Sequence, residues 1–280
     1  MFALLSQHKM PGLQSGIFVS GRGWAAAILA AAFIASSHAQ DCAPTAPLES
    51  AALHHVIDGD TVALNDGRHV RLIGINAPEL GHQGRAGEPL GAVAKSALAK
   101  LLAPTIYLQL GAEPRDHYGR MLAHVFQRPD GGSVEAQLLQ QGLAQHIVIP
   151  PDVELATCLH RAEQVARAAC RGVWGEPYFA PRDVRSLTDE DAGYRRVRLT
   201  ITAAQSDRRG WWLETNGPLV LRLQHRDVGQ FAGKPPTWAG RQWVVRGWIV
   251  SRKHDPFLKS QGRAPLLMNL QNPDMVETGL

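Results

Sequence analysis

From residue 54 onward, apolar and polar positions alternate in short runs. HHVIDGDTVAL, HVRLIGI and TIYLQLG have the β-branched, partly alternating pattern of strands, and NDG at 65–67 predicts a hairpin turn between the first two. RMLAHVF predicts a further strand, with DGG as the turn that follows it. GAVAKSALAKLLA, SVEAQLLQQGLAQ and VELATCLHRAEQVARAACR repeat apolar residues at i, i+3 and i+4, which predicts three helices. Five or so short strands with a helix inserted after the third suggest a small Greek-key barrel of the OB type, in a mainly β chain of the α+β class.

After GEPYFAPRDV, where a helix signal ends and two prolines follow, the pattern becomes strands again: RRVRLTI, GWWLET, PLVLRL, RQWVVRGWIV and PLLMNL. Alternation turns Val197, Leu199, Ile201, Trp211, Leu213, Leu219, Leu221, Trp243, Val245 and Ile249 to one side. Arg196, Arg198, Trp212, Arg222, Arg246 and Trp248 collect on the other. A second OB-like barrel over residues 181–280 is expected, following a first domain over residues 40–180. Charge supports the division: residues 40–180 hold 11 Lys+Arg against 15 Asp+Glu, and residues 181–280 hold 16 against 10. A basic face carrying indoles suits single-stranded nucleic acid, through phosphate pairing and base stacking. The plainer reading packs both tryptophans against the first domain.

The twelve-residue apolar run WAAAILAAAFIA, followed by Ser37-His38-Ala39, predicts a secretory signal over residues 1–39, cut after Ala39. It is short for a bilayer span, so a secreted or periplasmic protein without stable membrane attachment is expected, with an uncleaved membrane anchor as the alternative reading. Export makes a disulfide plausible among Cys42, Cys158 and Cys170. On one helix Cys158 and Cys170 would stand about 18 Å apart at ~1.5 Å per residue, beyond the reach of a disulfide. The candidate is Cys42 with one of the helix cysteines, Cys158 being favoured.

The carboxylates of VIDGDTV then need a reason to sit among apolar strands. Asp60 is expected at the end of the first strand, with Asn76 and Glu79 facing it across adjacent strands. Two carboxylates, an amide and a backbone carbonyl form an all-oxygen site of the kind hard cations take, calcium above all. Arg71 and Arg120 point to the same barrel face. A cation between carboxylates, flanked by two guanidiniums, is equipment for holding and polarising a phosphodiester.

VIDGDTVAL, VRLIGINAPE, RDHYGR and LLQQGLAQ, in this order and at these spacings, resemble the staphylococcal nuclease (thermonuclease) family over residues 52–174. The resemblance implies an OB barrel with three helices and calcium-dependent hydrolysis of DNA or RNA to 3′-phosphate products. Carried over by motif, Asp60 binds the metal, Ala77 offers its carbonyl, and Asp58 supports the site from behind. Glu79 orients or deprotonates water, Arg71 and Arg120 clamp phosphate, and Tyr118 lies beside the nucleotide. This chain departs from the family pattern in three places. Asn76 stands where the best-known members have aspartate, His117 replaces a lysine beside the nucleotide, and HIVIPP lacks their base-stacking tyrosines.

Alone, each feature has a plainer reading. DGD is a common turn, and a strand arginine is usually solvated. His54 and His55 read as surface, while His69, His82, His124, His146 and His160 show no ligand spacing, so none is assigned to metal. GHQGRAGEPLG reads as a mobile loop beside the site and matches no phosphate-binding loop. A nuclease fold that binds without turnover is the competing class, motivated by Asn76 and the missing tyrosines. The joint presence of Asp60, Arg71, Glu79 and Arg120 favours the enzyme.

Overall fold

The structure is a computed structural model that describes residues 42–81, 86–253 and 264–278. The expected signal over 1–39, His82 and part of the glycine-rich segment lie outside the described residues. Strands β1 (Glu49–Val56), β2 (Thr61–Leu64), β3 (His69–Leu72), β5 (Thr105–Arg115) and β6 (Met121–Phe126) close a barrel in the order β1-β2-β3-β6-β5. All neighbours are antiparallel except β3 and β6, which run parallel. That closure abolishes free strand edges. β2 is buried at all four positions, with Val62, Ala63 and Leu64 forming a continuous apolar run.

HHVIDGDTVAL is two strands, not one. The chain breaks at residues 57–60 because Ile57 and Asp58 both donate their N–H groups to Thr61 O, and the Asp58 carboxylate accepts the Asp60 N–H at 3.0 Å. Only glycine fits between the aspartates: a Cβ on Gly59 would lie 2.6 Å from Ala77 Cβ and 2.8 Å from Ala94 Cβ. Asp60 therefore belongs to the tight turn that opens β2, and the expectation that it ends the first strand is corrected. The hairpin between β2 and β3 turns at Gly67, whose φ of 87° suits glycine.

Three helices pack on this barrel. α1 (Gly91–Leu101) buries Ala94 and Leu98, one turn apart, and α2 (Val134–Gln140) is capped by Ser133, which accepts the Ala136 N–H at 3.2 Å. α3 (Ala156–Ala168) buries Cys158, Leu159, Ala162, Glu163 and Ala166 along one face. A two-residue ladder of β4 (Ile75–Asn76) with β7 (Gln145–His146) ties the chain after β3 to the segment between α2 and α3.

The second sheet contains β8 (Arg182–Asp183), β9 (Gly193–Asp207), β10 (Gly210–Thr215), β11 (Leu219–Gln224), β12 (Gln242–Ser251), β13 (Leu266–Leu270) and β14 (Val276–Thr278). β12 pairs with both β13 and β9, which closes β9-β10-β11-β13-β12 into another five-stranded barrel. Its β11 and β13 are parallel and its other barrel pairs antiparallel, so both barrels share one strand order and one sense. Of the residues expected inside, Val197, Leu199, Ile201, Leu213, Leu219, Leu221, Trp243, Val245 and Ile249 form the core, and Trp211 packs at its margin.

The barrels meet across a charged seam. Arg246 on β12 is 2% exposed and donates to both carboxylate oxygens of the fully buried Glu163 on α3, at 2.7 and 2.9 Å. Glu277 on β14 accepts from Arg196 on β9 at 2.6 Å and from Arg167 on α3 at 2.9 Å. Arg167 and Arg196 both stack over Trp174, at 4.4 and 4.9 Å. Arg195 reaches Glu88 at 2.9 Å.

Cys42 and Cys158 are disulfide-bonded, with Cα atoms 5.5 Å apart, while Cys170 is free and exposed. The bond closes a loop of 116 residues, for which chain-entropy arguments give a stabilisation of about 4–5 kcal/mol. The double variant Cys42→Ala/Cys158→Ala is expected to lose roughly 2–5 kcal/mol of unfolding free energy by denaturant titration. A loss under 1 kcal/mol would show that the bond restrains little.

Candidate active site

At one side of the first barrel lies a groove of about 750 Å³ whose lining includes Asp58, Asp60, Arg71, Asn76, Glu79 and Arg120. Asp60 is its hub. The side chain, 10% exposed, accepts the Ala77 N–H at 2.8 Å, the Thr61 hydroxyl at 3.1 Å and Arg71 Nη2 at 3.1 Å. Leu72 N–H donates to Asp60 O at 2.9 Å, so the turn and the end of β3 are sewn together. Ala77 touches the hub through its amide.

Asn76 is buried and reaches the groove from β4, paired with Gln145 of β7. Glu79 sits in the loop beyond, its N–H bonded to Glu88 Oε2 at 3.1 Å. The expectation that both face Asp60 across adjacent barrel strands is thus corrected: they arrive on a short arm outside the barrel, because β3 ends at Leu72. Arg71, on β3, spends Nη1 on Leu72 O and Nη2 on Asp60. Arg120 follows the 115–119 turn. Its Nε holds Asp116 at 2.7 Å and its Nη1 holds Thr61 Oγ1 at 3.3 Å. Among the described residues no hydrogen bond takes Nη2, which leaves that edge of the fork for a ligand. Tyr118 is 74% exposed, lies 5.3 Å under the Arg120 guanidinium and stacks at a tilt on His117, 3.8 Å between ring centres.

The electrostatics ask for a cation. Burial first, and then the Asp58 charge, push the Asp60 carboxyl above its ordinary range, against the pull of Arg71 and the Ala77 and Thr61 bonds. Glu79 is exposed as a residue, yet its carboxyl is also raised, by partial burial and by the charges of Asp60, Asp58 and Glu88. Donors here are oxygens: the Asp60 and Glu79 carboxylates and the Asn76 amide, with the Ala77 carbonyl adjoining. Crowded carboxylates short of counter-charge and an all-oxygen donor set fit a hard divalent ion.

Residues 69–176 match the family described as staphylococcal nuclease homologue. Over 130 residues the chain is 32% identical to the thermonuclease of Staphylococcus intermedius, covering 45% of this chain and 76% of that protein. The chain belongs to the staphylococcal nuclease family. It is also similar to the probable endonuclease LCL3 of Schizophyllum commune, 30% identical over 186 residues, which are 65% of this chain and 53% of that protein. The probable endonuclease LCL3 of Leptosphaeria maculans is 27% identical over 149 residues, 51% of this chain and 50% of that protein. The chain thus spans about half the length of these two fungal relatives. The staphylococcal nuclease match ends at residue 176, before the second barrel.

Beyond that match, the open basic face expected on the second barrel is corrected. Arg246 and Arg196 are turned into the seam, where Glu163 and Glu277 hold them. Trp212 is half-buried, bonded through Nε1 to Asp207 at 2.8 Å and lying under Arg222, and neither residue lines the groove. Arg198 is exposed. Trp248 alone among the expected face residues lines the groove, and among the described residues no other lining residue comes from the second barrel. It is 38% exposed and braced edge to face by Tyr194, 4.9 Å away. Glu88, which holds the Glu79 N–H, had no local signal in the sequence, and Trp248, expected on an open face of the second barrel, lines the groove instead.

A carboxyl raised by its surroundings costs stability only once ionised. For Glu79 the penalty is absent below its ordinary value of 4.5 and grows as pH rises through the folded value. In metal-free buffer, Glu79→Gln is expected to raise the denaturation midpoint relative to the parent more at pH 7 than at pH 4. The same difference at both pH values would show that Glu79 is not under electrostatic pressure.

Proposed function

We propose that this chain is an exported, calcium-dependent nuclease that hydrolyses phosphodiester bonds of DNA or RNA, leaving 3′-phosphate ends. The observation that carries the proposal is the meeting of Asp60, Asn76, Glu79, Arg71 and Arg120 in one groove. Family membership supports the activity. The disulfide and the apolar leader support export to an oxidising compartment.

In this reading Asp60, the Asn76 amide and the Ala77 carbonyl hold the calcium ion. Asp58 keeps the turn in shape by accepting the Asp60 N–H. When bound, the ion offsets negative charge on the phosphodiester. Glu79, raised in pKa and held by Glu88, takes the proton of the attacking water. Arg71 and Arg120 grip the non-bridging phosphate oxygens, where charge grows in the transition state. Asp116 orients Arg120 from behind. Tyr118 and His117 border the nucleotide, and Trp248 offers an indole face across the groove for an unpaired base, in a family member whose HIVIPP segment has no tyrosine.

Plasmid digestion with calcium and with chelator tests the activity, and Glu79→Gln and Arg120→Ala test the machinery. Cleavage is expected only with calcium, and each variant is expected to be roughly 10²–10³-fold slower with the fold intact. Calcium-independent cleavage, or near-parental rates in both variants, would overturn the mechanism.

Base stacking on an aromatic ring is worth ~1–3 kcal/mol. Trp248→Ala is therefore expected to weaken binding of single-stranded DNA roughly five- to hundredfold in fluorescence anisotropy, with little change in melting temperature. A lowered melting temperature with unchanged affinity would make Trp248 a packing residue only.

A further inference from the structure

The seam between the barrels gathers one more set of side chains. His146 ends β7, His160 lies on α3, and Asp274 sits in a short 3-10 turn just before β14. One ligand atom from each lies within 4.8 Å of the other two, and both His146 Nδ1 and His160 Nδ1 are 3.9 Å from Asp274 Oδ2. Among the described residues, no other group of three His, Cys, Asp or Glu side chains draws together so closely. His146 is completely buried. Neither of its ring nitrogens has a hydrogen-bond partner, and His160 Nδ1 has none either. Each such buried polar atom left unmatched is destabilising. Several at one point call for a ligand.

We propose that His146, His160 and Asp274 bind a divalent transition-metal ion of the zinc class, which staples the second barrel to the first. Two imidazoles and a carboxylate are a zinc donor set, whereas calcium takes six to eight oxygens. This site is therefore chemically distinct from the groove. Tetrahedral zinc, with bonds of about 2.0–2.2 Å, sets its ligand atoms about 3.4 Å apart. Closing the gaps, 3.9 Å from each imidazole to Asp274 and up to 4.8 Å between the ligand atoms, takes side-chain rotations. A cavity of about 10 Å³ lined by His146 and Asp274 adjoins the cluster, space for a single water as fourth ligand.

The surroundings suit the assignment. His160 Nε2 lies 3.2 Å from the Gln164 side-chain amide. The amide atom at that distance is Gln164 Nε2; with Nδ1 on the metal, a flip of the amide presents its oxygen to Nε2–H, which sets the tautomer and the ring plane. The side chains of His160 and Asp274, 41% and 35% exposed, leave a path for the ion from solvent. The Arg246 guanidinium, which donates to Asp274 O at 3.1 Å, is matched by Glu163 at 2.7 Å, so the ion faces a neutral pair there. Metal here joins β7 and α3 to the end of the second barrel, on the side of the seam behind Trp248.

The test uses the untagged full chain, stripped with chelator and titrated with zinc by calorimetry in the presence of saturating calcium. One equivalent is expected to bind, with a rise in melting temperature, and cobalt in its place is expected to show the intense visible bands of a four-coordinate ion. His146→Ala opens a buried hole and can fail to fold. The deciding variant is therefore the part-exposed His160→Ala, expected to weaken zinc at least tenfold while keeping the zinc-free melting temperature. Asp60→Asn is expected to keep full zinc affinity. Zinc uptake well below one equivalent, affinity unchanged in His160→Ala, or affinity lost in Asp60→Asn would each overturn the proposal.

Discussion

The buried ion pair of Arg246 with Glu163 governs how everything else is placed. Both groups are withdrawn from water, and such a pair repays its desolvation only with good geometry and further bonds. Glu163 has them: besides Arg246 it accepts the His146 N–H at 2.6 Å. One carboxylate thus fixes α3, β7 and β12 at once. Removing either partner would strand a charge, at a typical cost of about 3–5 kcal/mol, so the barrels cannot turn freely against each other. Two residues beyond Arg246 along β12, on the same face of the strand, comes Trp248. Its entry into the groove is therefore set by the same pair.

The second barrel also reaches the reacting end of the groove, through a relay of ordinary contacts. Arg195 and Tyr178 both bind Glu88 Oε1, and Glu88 Oε2 accepts the N–H of Glu79. The loop that carries the proposed base is thereby steadied from the neighbouring domain. Part of the positive charge of residues 181–280 is spent this way: Arg195 and Arg246 answer Glu88 and Glu163 of the first domain, and Arg196 answers Glu277 of its own.

Both barrels were legible because their strands alternate cleanly and their turns carry Gly, Asn and Asp at positions that demand them. The inside of the second barrel was readable almost residue by residue, since a closed barrel keeps its period-two pattern along each strand. The groove residues were legible as types, yet their carriers were not. The Asp58–Asp60 turn interrupts what reads as one continuous strand, and the two-residue ladder of Asn76 with Gln145 joins segments some seventy residues apart. Arg196 and Arg246 read as solvent-facing because alternation reports which side of a strand a residue takes, and cannot report that another domain covers that side. His146, His160 and Asp274 escaped for the same reason: ligand spacing along the chain exists only when one element supplies several ligands.

The disulfide has a topological consequence. With Cys42 joined to Cys158, the intervening chain is a covalent ring, and all five strands of the first barrel lie on it together with Asp60, Arg71, Glu79 and Arg120. A single peptide-bond cut anywhere on that ring opens it without freeing a fragment. The severed ends stay attached through the sulfur bridge and remain one molecule, able to find each other again without a bimolecular search. A nicked chain of this kind keeps its groove residues on one body until a reductant or a second cut within the ring separates them.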